Sequence, residues 1–224
     1  MRIIRFEQNG EARFGWVLDD KVGLIEGSPY ESFGRGNANL PLESIKLLPP
    51  ATPSKIICVG RNYVAHAQEH DAEVPEVPLL FLKPPSCVIG PSDVILLPPQ
   101  SQRVEHEAEL AVVIGKRGRW FDADSAKDAV LGYTVANDVT ARDLQRRDGQ
   151  WTRGKGFDTF CPVGPWIETE FDPADAVITC SVSGELRQMG STRDMVFSVR
   201  QLIAYASSVM TLVHSFPTNR KSVV

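Results

Sequence analysis

Three acidic residues have the types and spacing to do chemistry together. Glu107 and Glu109 lie in the segment 105–115, EHEAELAVVIG, and Asp138 closes the apolar run 130–138, VLGYTVAND. The first segment reads as a buried strand that starts charged and ends apolar. Alternation then puts Glu107 and Glu109 on one face and Leu110, Val112 and Ile114 on the other. Neighbouring carboxylates repel, and burial adds a desolvation cost. A cation between them relieves both. With Asp138 delivered by a second apolar strand, the donor set is all oxygen, which suits a hard divalent ion, Mg2+ or Mn2+. The bland reading is a solvated strand edge, since a bare E-x-E match has a high false-positive rate. Spacing leaves both readings open.

Two further groups are reactive in type. His66 and Glu69 are three apart on a short helix expected over Tyr63–His70, and so share a face. A carboxylate that orients an imidazole makes a general base. A polar, solvated helix face is the reading that these residues favour on their own. Lys155 sits between Gly154 and Gly156 in the segment 151–157, WTRGKGF. Glycines remove bulk, so this lysine is free to approach an oxyanion closely, or it is an ordinary loop lysine. No G-x-G-x-x-G or Walker pattern occurs.

Short strands must position these groups. Apolar runs at 2–6, 13–18 and 21–25 are separated by Asn9-Gly10 and Asp19-Asp20 and read as a β-meander. Residues 27–54 are rich in glycine and proline and read as a linker or ornamented loop. Strands are expected at 55–59, 79–83 and 94–97, followed by the two acid-bearing strands. A short helix is expected near 125–129 and a helix-like segment over 140–147. The run 177–182, then Ser183-Gly184 and 185–188, reads as a hairpin. Ser198 caps a helix reaching about Val209, with Leu202, Ile203, Ala206 and Val209 on one face. The fold class is mainly β with short helices (α+β), with too few helices for a doubly wound sheet. The expected division is a small N-terminal β domain and linker over 1–50, a larger domain over 51–212, and a tail over 213–224.

The chain has 224 residues, 42% hydrophobic and 23% charged, with net charge −4, which are ordinary values for a water-soluble fold. Interspersed charge of that sign argues against nucleic acid or an anionic membrane as the main partner. No apolar run approaches a membrane span, and the start MRIIRF lacks a signal-peptide core. Cys58, Cys87, Cys161 and Cys180 are far apart with no C-x-x-C pair. They read as reduced residues of a cytoplasmic protein rather than disulfides or a zinc site.

Taken jointly, five blocks resemble the fumarylacetoacetate hydrolase family: GRNY-x-x-H-x-x-E over 60–69, FLKPPS over 81–86, HE-x-EL over 106–110, ND-x-TARD over 137–143, and K-x-FDT over 155–159. The match covers roughly residues 55–210 in family order. The first fifty residues resemble the small N-terminal domain of bacterial members. The resemblance implies a mixed β-sandwich roll, usually a homodimer, with Glu107, Glu109 and Asp138 as ligands for Mg2+ or Mn2+. It implies that His66 and Glu69 activate water from a helical lid and that Lys155 polarises the substrate. It also implies that Arg142 and Gln145 contact substrate carboxylate or carbonyl groups. The activity implied is hydrolysis of a C–C bond in a 2,4-dioxo acid such as an acylpyruvate, through a stabilised enolate. Oxaloacetate decarboxylation and isomerisation of a hydroxy-dienedioate would use the same groups.

After Leu212 the sequence departs from that pattern. The family continues with P-G-D, a strand and a T-G-T-P loop that supplies a substrate-binding threonine, whereas residues 213–224 read VHSFPTNRKSVV. The expectation is unpaired strand edges and exposed core surface. A second hypothesis follows: a catalytically impaired chain whose remaining role is binding.

Overall fold

The computed structural model describes residues 1–63 and 75–213. The meander forms as expected from β1 (Arg2–Gln8), β2 (Glu11–Leu18) and β3 (Lys21–Gly27). Asn9 and Gly10 take φ of 53° and 79°, the left-handed geometry whose twist suits a two-residue hairpin loop. The stretch read as a linker carries three short strands, β4 (Phe33–Arg35), β5 (Leu40–Pro41) and β6 (Lys46–Leu48). The first two pair with β3 and the third with β1. Proline and glycine keep these pieces short without stopping them from covering edges.

Next come β7 (Ile56–Gly60) and β8 (Leu79–Lys83), which pair only with each other among the described residues. Then follow β9 (Val88–Ile89), β10 (Val104–Glu105), β11 (Ala108–Ile114), β12 (Val130–Asn137) and β13 (Thr140–Ala141). Helices α1 (Arg142–Asp148) and α2 (Thr152–Lys155) lead into β14 (Cys161–Glu168). The chain continues through the hairpin β15 (Val177–Val182) and β16 (Glu185–Ser191) to α3 (Val199–Val209). The result is mainly β with short helices, the class expected from the sequence.

The main sheet runs in the order β11-β12-β14-β1-β2-β3-β4. Its middle join pairs Arg2 with Glu168 and Ile3 with Ile167, so the N-terminal meander and the acid-bearing strands share one sheet. Ile3, Phe6 and Ile167 are fully buried there. Complete burial of one such side chain contributes about 2 kcal/mol.

Three expectations change. No strand forms over 94–97: Val94, Leu96 and Leu97 are exposed, and Pro91, Pro98 and Pro99 hem the segment in. The acid-bearing strand is broken, with β10 ending at Glu105 and β11 starting at Ala108, so Glu107 lies in the break. Helix α3 has the expected cap at Ser198, completed by Gln201, but it buries Val199, Ile203, Ala206 and Ser207 and leaves Val209 half exposed.

Strand β12 lies between β11 and β14 and must approach the latter closely. A Cβ on Gly132 would meet Glu168 O at 2.5 Å and Ile167 Cγ2 at 2.6 Å, and the buried Ile167 has no room to give way. Gly132→Ala is therefore expected to lower unfolding stability by about 1–3 kcal/mol. Urea denaturation measures it, and an unchanged midpoint would contradict the packing described.

Candidate active site

Adjacent strand ends gather the acids. Asp138 follows the last residue of β12, and its backbone N–H donates to Glu107 O at 2.9 Å. The Glu107 N–H donates to Asn137 Oδ1 at 3.0 Å, so the break in the strand is stitched back onto β12. Glu109, inside β11, sits in register with Ala136. The carboxylate oxygens of Glu107, Glu109 and Asp138 come within 4.8 Å of one another.

Three cations surround them. Lys155, at the end of α2 and only 2% exposed, donates from Nζ to Asp138 Oδ2, to Glu107 Oε2 at 2.9 Å and to Thr140 Oγ1 at 2.9 Å. Its ammonium also lies 5.0 Å from the Phe81 ring centre. Lys83, the last residue of β8, is fully buried and donates to Asp138 Oδ1 at 2.6 Å and to Val139 O at 3.3 Å. Arg142 spreads its guanidinium over Glu105 Oε2 at 2.8 Å, Glu107 Oε1 at 2.6 Å and Gln145 Oε1 at 2.9 Å.

Glu109 is the exception in this network. Among the described residues its carboxyl makes no hydrogen bond or ion pair, and it borders a cavity of about 300 Å³. Asp138 and Lys83 line that cavity as well, and the rest of its wall includes Ile57, Leu110, Val112 and Ile203. Burial first, then the charges of Asp138 and Glu107, push the Glu109 carboxyl up from 4.5 to about 8. Burial works in the same sense on Glu107, but Lys155 and Arg142 overcome it and hold that carboxyl below its ordinary value. Burial would likewise lower the Lys155 ammonium, yet Asp138 and Glu107 raise it, so it stays charged.

An unpartnered, partly buried carboxyl beside two others, all donating oxygen, fits a hard divalent cation. Glu107, Glu109 and Asp138 are the residues placed to hold it.

The structure thus brings together five of the residues singled out from sequence: Glu107, Glu109, Asp138, Lys155 and Arg142. Gln145 joins them as the partner of Arg142, so these two face each other and Glu107. His66 and Glu69 lie outside the described residues. The sequence reading missed Lys83 as a site residue, although the available signal matched that of Asp138: a lone charge ending an apolar run, LLFLK over 79–83. It missed Asn137 as well, which looked like an ordinary strand end.

Comparison with known proteins settles the family. The sequence model described as fumarylacetoacetate (FAA) hydrolase C-terminal matches residues 55–214, and one described as Rv2993c-like, N-terminal, matches residues 1–50. The chain belongs to the fumarylacetoacetate hydrolase family. Among its relatives in that family is the mitochondrial oxaloacetate tautomerase FAHD2A of Homo sapiens, 49% identical over 178 residues, which are 77% of this chain and 57% of that protein. The crystal structure of 5-carboxymethyl-2-hydroxymuconate delta-isomerase from Mycobacterium smegmatis superposes with TM-score 0.88 at 40% identity, covering 96% of this chain and 85% of the other. Maleylpyruvate hydrolase from Sphingobium sp. SYK-6, solved with manganese(II) and pyruvate, superposes with TM-score 0.77 at 33% identity over 96% and 86% of the two chains. The fold is therefore that of the fumarylacetoacetate hydrolase family, whose members are enzymes. No helix among the described residues is long and apolar enough to cross a membrane.

Two outcomes follow from the charges. The folded, metal-free protein holds the Glu109 proton more tightly than the unfolded chain does. This carboxyl therefore supports stability in acid, and its support is lost as pH rises from about 4.5 to about 8. Melting temperatures across that window should fall less steeply in Glu109→Gln than in the parent, and identical slopes would contradict the assignment. Lys83→Met leaves Asp138 with Lys155 alone and should cost roughly 3 kcal/mol of stability. Denaturant titration at fixed pH reads this, and a loss within error would show that Lys83 is dispensable.

Proposed function

We propose that this chain is a divalent-metal-dependent enzyme that acts on a short 2-oxo acid carrying a second carbonyl or carboxyl group, by forming and consuming its enolate. The observation that supports this reading best is the meeting of three carboxylates with the buried Lys155, where Glu109 and Asp138 also line a cavity. Glu107, Glu109 and Asp138 would hold Mg2+ or Mn2+. When bound, such an ion supplies Lewis acidity to carbonyl oxygens, favouring loss of a proton or a carbon–carbon bond next to them.

The chain's own residues do the rest. Lys155 is pre-positioned by Asp138, Glu107 and Thr140, and its ammonium can turn a hydrogen bond toward an oxygen that becomes negative. Arg142 keeps Glu107 ionised and oriented, and its bond to Gln145 is the one most readily exchanged for a substrate carboxylate. The mainly apolar cavity wall adjoins Glu109 and Asp138, where a lower local dielectric strengthens the interactions of these two acids.

Among enolate reactions we put proton transfer first, as tautomerisation or isomerisation of an oxaloacetate-like or hydroxy-dienedioate acid. The described groups are cations and carboxylates suited to moving a proton beside a carbonyl. The tautomerase at 49% identity and the isomerase at 40% are also more similar to this chain than the maleylpyruvate hydrolase at 33%. Hydrolysis of a 2,4-dioxo acid is the second reading. It depends on water activated by His66 and Glu69, and the maleylpyruvate hydrolase with manganese and pyruvate favours it.

Purified protein with Mg2+ or Mn2+ tests this on oxaloacetate and acetylpyruvate, following keto–enol absorbance, pyruvate release and carbon dioxide release separately. Metal-dependent turnover is expected, abolished in Glu109→Ala and reduced about a hundredfold or more in Lys155→Met. Turnover that persists after chelation would overturn the metal site. Metal binding with no turnover on either acid would point to the binding role instead.

A further inference from the structure

Gln188 stands out on an otherwise solvated hairpin. Strand β11 is the last in its sheet, paired only with β12 among the described residues. In an antiparallel ladder, residues alternate between bonding their partner strand and facing away from it. Ala108 faces away, and the Gln188 side chain meets it there. The Ala108 N–H donates to Gln188 Oε1 at 2.8 Å, and Gln188 Nε2 donates to Ala108 O at 2.7 Å. One side-chain amide thus replaces the peptide group of a missing neighbour strand. Ala108 is the residue between Glu107 and Glu109, and residues 181–187 and 189 around Gln188 are exposed.

We propose that Gln188 is a positioning residue for the carboxylate pair. It locks the two peptides flanking Ala108, whose orientation sets the directions of Glu107 and Glu109, and it couples them to the β15–β16 hairpin. On the other side Glu107 is held by Asn137 and Asp138. With both sides pinned, the two carboxylates keep their mutual direction before any ion arrives. Without Gln188, the Ala108 backbone loses both of these bonds, and a shift of one residue would send both acids to the other face. This inference rests on the reading of Glu107, Glu109 and Asp138 as a cation site.

Three variants make the test: Gln188→Leu removes both bonds at similar volume, Gln188→Glu keeps an acceptor for the Ala108 N–H but loses the donor, and Arg187→Ala is a control on the same hairpin. Mn2+ affinity is read by electron paramagnetic resonance, and exchange of the Ala108 amide by hydrogen–deuterium exchange, both well below the melting temperature. The expected result is affinity weakened about tenfold to a hundredfold in Gln188→Leu, less in Gln188→Glu, and unchanged in Arg187→Ala. The Ala108 amide should exchange faster in Gln188→Leu while the β12 amides keep their protection. Parent-like affinity in a folded Gln188→Leu would overturn the positioning role while leaving the cation site standing. Failure of the parent itself to bind Mn2+ would overturn both. Loss of protection along all of β12 would mean that Gln188 holds the fold generally, and would also overturn the specific role.

Discussion

Asp138 lies between two buried ammonium groups, and the arrangement around it organises the C-terminal part of the molecule. Each of its oxygens takes one lysine, Lys83 from the end of β8 and Lys155 from the end of α2. A carboxylate only 3% exposed is too costly without such partners. Three elements distant in sequence, β8, β12 and α2, therefore have to end at the same point. Thr140, Glu107 and Arg142 extend the network outward, so every charge near Asp138 except that of Glu109 is matched by an opposite one. The surplus is confined to a single carboxyl at the edge of a cavity.

That distribution separates structural from chemical roles. Lys83 also lines the cavity, but it spends its bonds on Asp138 and the Val139 carbonyl. Lys155 bonds the same aspartate, but its contacts span two acids and a hydroxyl, so it responds to any change of charge among them. A divalent ion among these acids would take over part of the neutralisation that Lys155 now supplies, leaving its donors freer to meet a substrate oxygen. Arg142 works similarly at the other side of Glu107, with Gln145 as its exchangeable partner.

Much of this was legible in the sequence, for physical reasons that can be named. Asp138 and Glu109 were visible because a charge inside or at the end of an apolar run needs an explanation. The meander and both tight hairpins were visible because Asn9-Gly10 and Ser183-Gly184 favour left-handed φ. What misled was apolarity read without a partner. The segment 94–97 has the composition of a strand, but no neighbour offers it backbone bonds. Conversely, residues 33–48 looked like a linker although β1 and β3 present edges that even two-residue strands can cover. The break at Glu107 was invisible because alternation counts residues and does not see which peptides bond to which strand. Lys83 was overlooked because a lysine before two prolines reads as a chain reversal, and only the fold shows that its ammonium faces Asp138.

The cavity has one more implication. Its wall includes every residue from Lys55 to Val59 and every residue from Glu109 to Ile114. Side chains of consecutive strand residues point to opposite faces, so a space that touches all of them reaches the strand margins, and Thr134 and Ala136, alternate residues of β12, give it one face of that strand as well. The margins of β7 and β11 thus border one mainly apolar space. Glu109 and Asp138 border it too, and the stiffness of this acidic border is set locally by side chains instead of being inherited from the sheet.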